Sequence, residues 1–232
     1  MNKMWKNLLC GIVSLFTCSQ SMAAFTLNST RYIYNQGQKN TTVEVTNNAE
    51  KTYGGQIWIE NLNKNDSKVY MVGQPPFFKI SPKGKQLIRI MNVDTSLPED
   101  RESLFWLNVQ EVPPKPATTE GNVLAIAMNT KVKLFYRPKT IEAGRDGAEK
   151  KLQLIQKDGS SWLKNPTPYY FAVLDLKVDG KPVNLTDSVR SAIAQLAPFG
   201  EVKLNKLISG APSVNAINDW GGTQDWTISM VK

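Results

Sequence analysis

Apolar side chains recur at every second position in short runs between Phe25 and Arg137, and turn-forming residues end each run. Thr42 to Thr46 alternates around Val43 and Val45, Gln56 to Leu62 around Ile57 and Ile59, and Leu87 to Met91 and Leu104 to Val109 continue the pattern. Asn47-Asn48, Gly54-Gly55, Pro75-Pro76, Pro82-Lys83-Gly84 and Pro113-Pro114 punctuate them. A period of two sends successive side chains to opposite faces of a strand, whereas an amphipathic helix needs a period near 3.6. No stretch of helical length carries the second period. About seven short strands over roughly 110 residues predict an antiparallel β-sandwich of immunoglobulin-like size, without the Cys…Trp…Cys spacing of antibody domains.

The pattern pauses over residues 139–149, a polar, Gly-containing stretch that reads as a linker. It resumes with Lys151 to Gln156, Tyr169 to Val178, Val202 to Ile208 and Trp226 to Val231; Asn165-Pro166-Thr167-Pro168, Asp179-Gly180 and Gly221-Gly222 supply turns. The expected fold is all-β: two immunoglobulin-like sandwiches, residues 24–138 and 150–232, joined by a short hinge.

Residues 1–23 have the layout of a secretory leader. Lys3 and Lys6 precede the apolar Leu8 to Phe16, and Ser21-Met22-Ala23 places small residues where a signal peptidase cuts. Cleavage after Ala23 is expected; a lipid anchor on Cys18 is disfavoured by the bulky Leu15-Phe16-Thr17 before it. Both cysteines, Cys10 and Cys18, lie in this leader, so the mature chain is expected to hold no disulfide although it reaches a compartment that permits them. No other stretch is apolar enough to span a bilayer. Histidine is absent from all 232 residues, which excludes Ser-His-Asp and Cys-His catalysis and disfavours zinc. The formal charge of +8 falls to +6 once Lys3 and Lys6 leave, and its lysines are scattered. No nucleotide-binding glycine loop, cofactor motif or nucleic-acid signature is present.

Residues 122–138, NVLAIAMNTKVKLFYRP, stand apart. Leu124, Ile126 and Met128 share one face of a strand, and only Ala125, Ala127 and Asn129 occupy the other. An ordinary half-buried strand would look similar. A strand edge with large apolar groups on one side is also a template for pairing with another chain.

In order and spacing, LPEDRESLFWLNVQEVPP (97–114), the 122–138 segment, Thr30-Arg31, QPPFFKISPKGKQLIRI (74–90), NPTPYY (165–170) and NDWGG (218–222) resemble the periplasmic pilus chaperones of the chaperone–usher pathway. The resemblance covers the whole mature chain and implies binding rather than catalysis, no cofactor, and a Gram-negative periplasm. Its partners would be pilin subunits, a tip adhesin and an outer-membrane usher. Such a chaperone lends an edge strand to a subunit that lacks its last strand, a form of β-augmentation. By resemblance the donor strand is 122–130, with Leu124, Ile126 and Met128 inserted. Arg31, on the first strand, and Lys133 match the cleft cations that hold the subunit's terminal carboxylate. Glu102, Arg137 and Asp219 match an interdomain ionic network that Arg89 would join. The short Pro114–Asn122 loop resembles the subclass serving rod-shaped, adhesin-tipped pili. Strict alternation sets Lys133 on the face opposite to Leu124, Ile126 and Met128, so a bulge or twist near Asn129 to Lys131 is expected.

Two other classes compete. Glu102, Glu111, Asp66 and Asp100 could form a glycosidase-type carboxylate pair, but nothing in their spacing joins two of them. A carbohydrate-binding or structural sandwich, including a pilin, is the second; the two complete strand sets argue against a pilin. A free donor edge also predicts a weak homodimer that caps it, and the chain is not expected to enter a membrane.

Overall fold

The computed structural model describes residues 24–115 and 126–231. Nine strands form the first module: β1 (Phe25–Leu27), β2 (Arg31–Asn35), β3 (Thr41–Asn47), β4 (Tyr53–Asn61), β5 (Met71–Gln74), β6 (Phe77–Ile80), β7 (Lys85–Asn92), β8 (Ser103–Val112) and β9 (Asn129–Arg137). They make two facing sheets, ordered β1-β3-β7-β5 and β2-β9-β8-β4-β6. The alternation legible in Thr41–Asn47 and Lys85–Asn92 places Val43, Val45, Ile88 and Ile90 in the core with no exposed surface. From the other sheet, Ile57, Leu107, Val109, Leu134 and Tyr136 meet them. Gly55 is required where Phe25 and Phe78 stack, because a Cβ there would lie 2.2 Å from the Phe78 ring.

The second module contains β10 (Gln153–Lys157), β11 (Ser160–Lys164), β12 (Ala172–Val178), β13 (Lys181–Pro182), β14 (Glu201–Lys203), β15 (Pro212–Ile217), β16 (Thr223–Thr227) and β17 (Ser229–Val231). Its sheets are ordered β14-β11-β10-β17 and β13-β12-β15-β16, around a separate core that includes Leu154, Leu163, Phe171, Val173 and Val214. The run expected from Trp226 to Val231 is divided: it changes sheet at Ile228, whose N–H bonds Pro212 O at 3.1 Å. The expected 202–208 strand is reduced to Glu201–Lys203. A helix at Asp187–Ile193, capped by the Thr186 hydroxyl, falls between two expected strands in a stretch given no element; its inward residues Val189 and Ile193 are too few to reveal the helical period.

The 139–149 segment is not a loose polar strap. It holds a helical turn at Lys139–Glu142 and enters a 3-10 helix at Ala148–Lys151, with Arg145 and Glu149 buried. Their polarity suggested solvent, but they are paired inside the protein. The Tyr169 hydroxyl donates to Ile141 O at 2.5 Å and ties the segment to the second module.

Candidate functional site

The site forms where the outer face of β9 meets the second module. Pairing between β8 and β9 runs unbroken from Gln110↔Asn129 to Ser103↔Tyr136. Strict alternation therefore holds, and the expected bulge is absent. Val132, Leu134 and Tyr136 point to the core, so Lys133, Phe135 and Arg137 point outward. The cleft lies on that outward face, which is why Lys133 reaches it without any break in the strand.

The first-strand position expected for Arg31 also changes. β1 ends at Leu27, the chain turns with the Ser29 hydroxyl donating to Arg31 O at 2.7 Å, and Arg31 opens β2 in the opposite sheet. β2 and β9 are parallel, with Arg31 directly beside Lys133 and Asn35 beside Arg137. Neighbouring positions in a ladder share a face, so the two cations stand side by side.

Neither cation has an ion-pair partner among the described residues. Arg31 is 8% exposed; its Nη1 donates to Ile217 O at 3.3 Å, and its buried Nε has no partner. Lys133 Nζ donates to Ala194 O. Burial, reinforced by the neighbouring Arg31 charge, pulls the Lys133 ammonium down to about 8. Burial also lowers Arg31 from its ordinary value, with Asp219 opposing and Arg145 assisting. A cavity of about 530 Å³ opens beside Arg31, bordered by Ile33, Asn35, Arg137, Asp219 and the exposed Trp220. The result is a partly dry cleft with uncompensated positive charge, suited chemically to a carboxylate.

An ionic chain underpins the cleft. Arg137 Nε donates to Glu102 Oε1 and its Nη1 to Asp219 Oδ2, each at 2.7 Å. The other Glu102 oxygen accepts from Tyr170 N at 2.7 Å, so a carboxylate of the first module is gripped by the second. Burial raises the Glu102 carboxyl against the pull of Arg137. Arg145 Nη2 extends the chain to Asp219 Oδ1 at 3.1 Å and Glu149 Oε1 at 2.8 Å. Sequence reasoning missed Arg145 and Glu149, because an i, i+4 Arg–Glu pair in a polar stretch looks like a solvated surface. Arg89 stands apart from this chain: it is exposed on β7, beside Thr42 and Gln74. Gly221, at φ +84°, lets the 218–222 turn approach Thr30; a Cβ there would lie 2.7 Å from the Thr30 hydroxyl.

The donor segment is described in part. Leu124, like residues 116–125 as a whole and the short loop within them, lies outside the described residues. Ile126 and Met128 are 65% and 49% exposed and precede the β9 ladder, which Met128 O prolongs by accepting from Glu111 N at 3.0 Å. β2 pairs with β9 only from Lys133 onward. Over Asn129 to Val132 no described strand covers that edge of β9.

Among the described residues no set of three or more His, Cys, Asp or Glu is placed to hold a metal. The four carboxylates considered for catalysis are not paired with one another. Glu111 accepts from Phe25 N at 3.1 Å, Glu102 sits in the ionic chain, Asp66 accepts from the Tyr70 hydroxyl at 2.9 Å and Asp100 pairs with Arg101.

Residues 24–142 match the family "Pili and flagellar-assembly chaperone, PapD N-terminal domain", and residues 147–228 match "Pili assembly chaperone PapD, C-terminal domain". The chain belongs to the pilus-assembly chaperones. Among its relatives, the chaperone protein FanE of Escherichia coli is 46% identical over 215 residues, spanning 92% of this chain and 94% of FanE. The crystal structure of the periplasmic chaperone SfaE superposes with a TM-score of 0.70 at 31% identity, over 89% of this chain and all of that one. The SafB chaperone of Salmonella enterica, solved in complex with the SafA pilin, gives a TM-score of 0.74 at 25% identity over 90% and 97% of the two chains. These pilus chaperones are named as chaperones and not as enzymes, and the all-β, two-sandwich fold is theirs as well.

Proposed function

We propose that this pilus chaperone binds pilin subunits, a tip adhesin among them, by lending the 122–130 segment as a strand and holding the subunit's terminal carboxylate between Arg31 and Lys133. The single observation that carries the reading is the edge of β9 over Asn129 to Val132, which no described strand covers and which runs directly into the paired cations. A strand added there occupies the line that β2 begins at Arg31. Parallel to β9, it brings its C-terminus to the two positive charges; antiparallel, it brings its ammonium group there. Charge therefore selects the parallel direction, and a terminal carboxylate fixes the register, since a slip of one residue would turn every inserted side chain the wrong way. Leu124, Ile126 and Met128 then fill alternate pockets of the subunit.

The leader and compartment follow the same reading. Residues 1–23 direct export and are removed after Ala23, residues 24–138 and 150–232 are the two domains, and the mature protein works in the periplasm, passing subunits to an outer-membrane usher. Glu102, Arg137 and Asp219 hold the angle between the domains. The periplasmic SfaE and the pilin-bound SafB support this assignment by similarity.

Co-purification with a pilin subunit followed by amide hydrogen exchange tests the proposal. Protection is expected to rise over Asn129 to Val132 when the subunit binds. Binding with that edge left unprotected would contradict it.

A further inference from the structure

Lys133 Nζ donates to Ala194 O, the C-terminal cap of the Asp187–Ile193 helix, and Arg31 Nη1 donates to Ile217 O at the end of β15. Both acceptors belong to the second module, and both are main-chain carbonyls. This choice of acceptor matters. A carboxylate in either place would orient the cation but cancel its charge; a carbonyl orients it and leaves nearly the full charge for an incoming anion.

We propose that the Ala194 and Ile217 carbonyls of the second module are positioning groups for the Arg31–Lys133 anchor, so that carboxylate binding and docking of the two modules are one coupled event. The proposal rests on the anchor reading above and adds to it a role for the second module that the anchor residues alone do not require. Each cation has more donors than its carbonyl uses: the ammonium has three and the guanidinium five. A terminal carboxylate can thus be accepted without either carbonyl being released. The coupling also works in reverse, because an anion that draws the cations together favours the module arrangement in which both carbonyls reach them.

The charged groups around Lys133 are few. Arg31 faces it from β2, Trp106 of β8 is its cross-strand neighbour, and the last turn of the helix contributes the Ala194 carbonyl and one charged side chain, Arg190, which is paired with Asp175.

The experiment uses the mature chain with 13C-labelled alanine carbonyls and two peptides carrying a pilin's last strand, one a free acid and the other amidated. The Ala194 carbonyl resonance, identified by its loss in Ala194→Gly, is expected to titrate with Lys133, with a midpoint about 8, and to become flat in Lys133→Met. It is expected to shift again on adding the free-acid peptide. Ala194→Asp, which sets a carboxylate beside the ammonium, should reduce the preference for free acid over amide at least about tenfold, while Ala194→Asn retains it. A flat Ala194 resonance in the wild type, or an unchanged preference in folded Ala194→Asp, overturns the proposal. If the wild type fails to distinguish free acid from amide, the anchor reading itself is wrong, a result separate from the behaviour of Ala194.

Discussion

At Arg137 and Lys133 the same outer face of one strand carries two different uses of charge. Arg137 is matched: Glu102 and Asp219 accept from it, and the group is a buried tie between modules. Removing it with Arg137→Ala leaves Glu102, 3% exposed, as an uncompensated buried carboxylate, and is expected to cost about 3–5 kcal/mol of stability. Chemical denaturation measures this. Replacing Glu102 by Gln in the same chain should restore part of the loss, because the stranded charge is removed. Lys133 is unmatched, and its pH behaviour has the opposite sign to that of a paired lysine. Its ammonium titrates at about 8 in the fold against 10.5 in the open chain. Below about 8 both states are charged and the fold bears the full cost of burying the ion. As pH rises from about 8 to 10.5 the folded form has lost the proton while the unfolded form still binds it, so stability rises through that window. The gain is on the order of 3 kcal/mol, and it should vanish in Lys133→Met. Affinity for a subunit carboxylate should move the other way, falling as pH is raised above 8. Denaturant midpoints and binding isotherms at pH 7 and 9 check both signs.

β9 performs two tasks along its length. From Lys133 to Arg137 it is an interior strand between β2 and β8; from Asn129 to Val132 β8 is the only described strand beside it. Each large apolar side chain that a subunit buries contributes roughly 1.5–3 kcal/mol, against about 4–15 kcal/mol lost on association. No single inserted residue therefore decides binding. Ile126→Ala is expected to weaken subunit affinity by about tenfold without changing the thermal midpoint, since Ile126 is exposed in the free protein; calorimetric titration with a subunit checks this. Much of this element was legible beforehand. Alternation in Thr41–Asn47, Tyr53–Asn61, Lys85–Asn92 and Ser103–Val112 predicts each strand within a few residues, because each buries one face. The sequence was silent on β2 as a separate strand, and so on the parallel register that sets Arg31 beside Lys133. Parallel pairing of distant strands leaves no local signature. Arg145 and Glu149 read locally as a solvated i, i+4 pair; the partner that draws Arg145 into the buried chain, Asp219, lies more than seventy residues away.

Across the whole molecule, two sandwiches with separate cores meet through a cleft whose contacts are polar, apart from pairs such as Phe135 with Tyr170, whose ring centres are 6.3 Å apart. Directional bonds cross between the modules there, from Arg137, which also holds Glu102, to Asp219 and from Tyr170 N to Glu102. An uncovered β9 edge has a further consequence for the free protein, which is expected to form a weak homodimer through it. Sedimentation over a range of concentrations should show a reversible monomer–dimer equilibrium that a bound subunit abolishes. A strict monomer at high concentration would show that the edge is protected in some other way.

The central claim, that the paired cations and the open edge together bind a subunit, is tested most directly by periplasmic co-expression with a pilin. Recovery is compared between wild type and the Arg31→Ala, Lys133→Ala double variant. The account predicts a 1:1 complex with the wild type and none with the double variant, both chaperones being folded. Equal recovery from the two would contradict it.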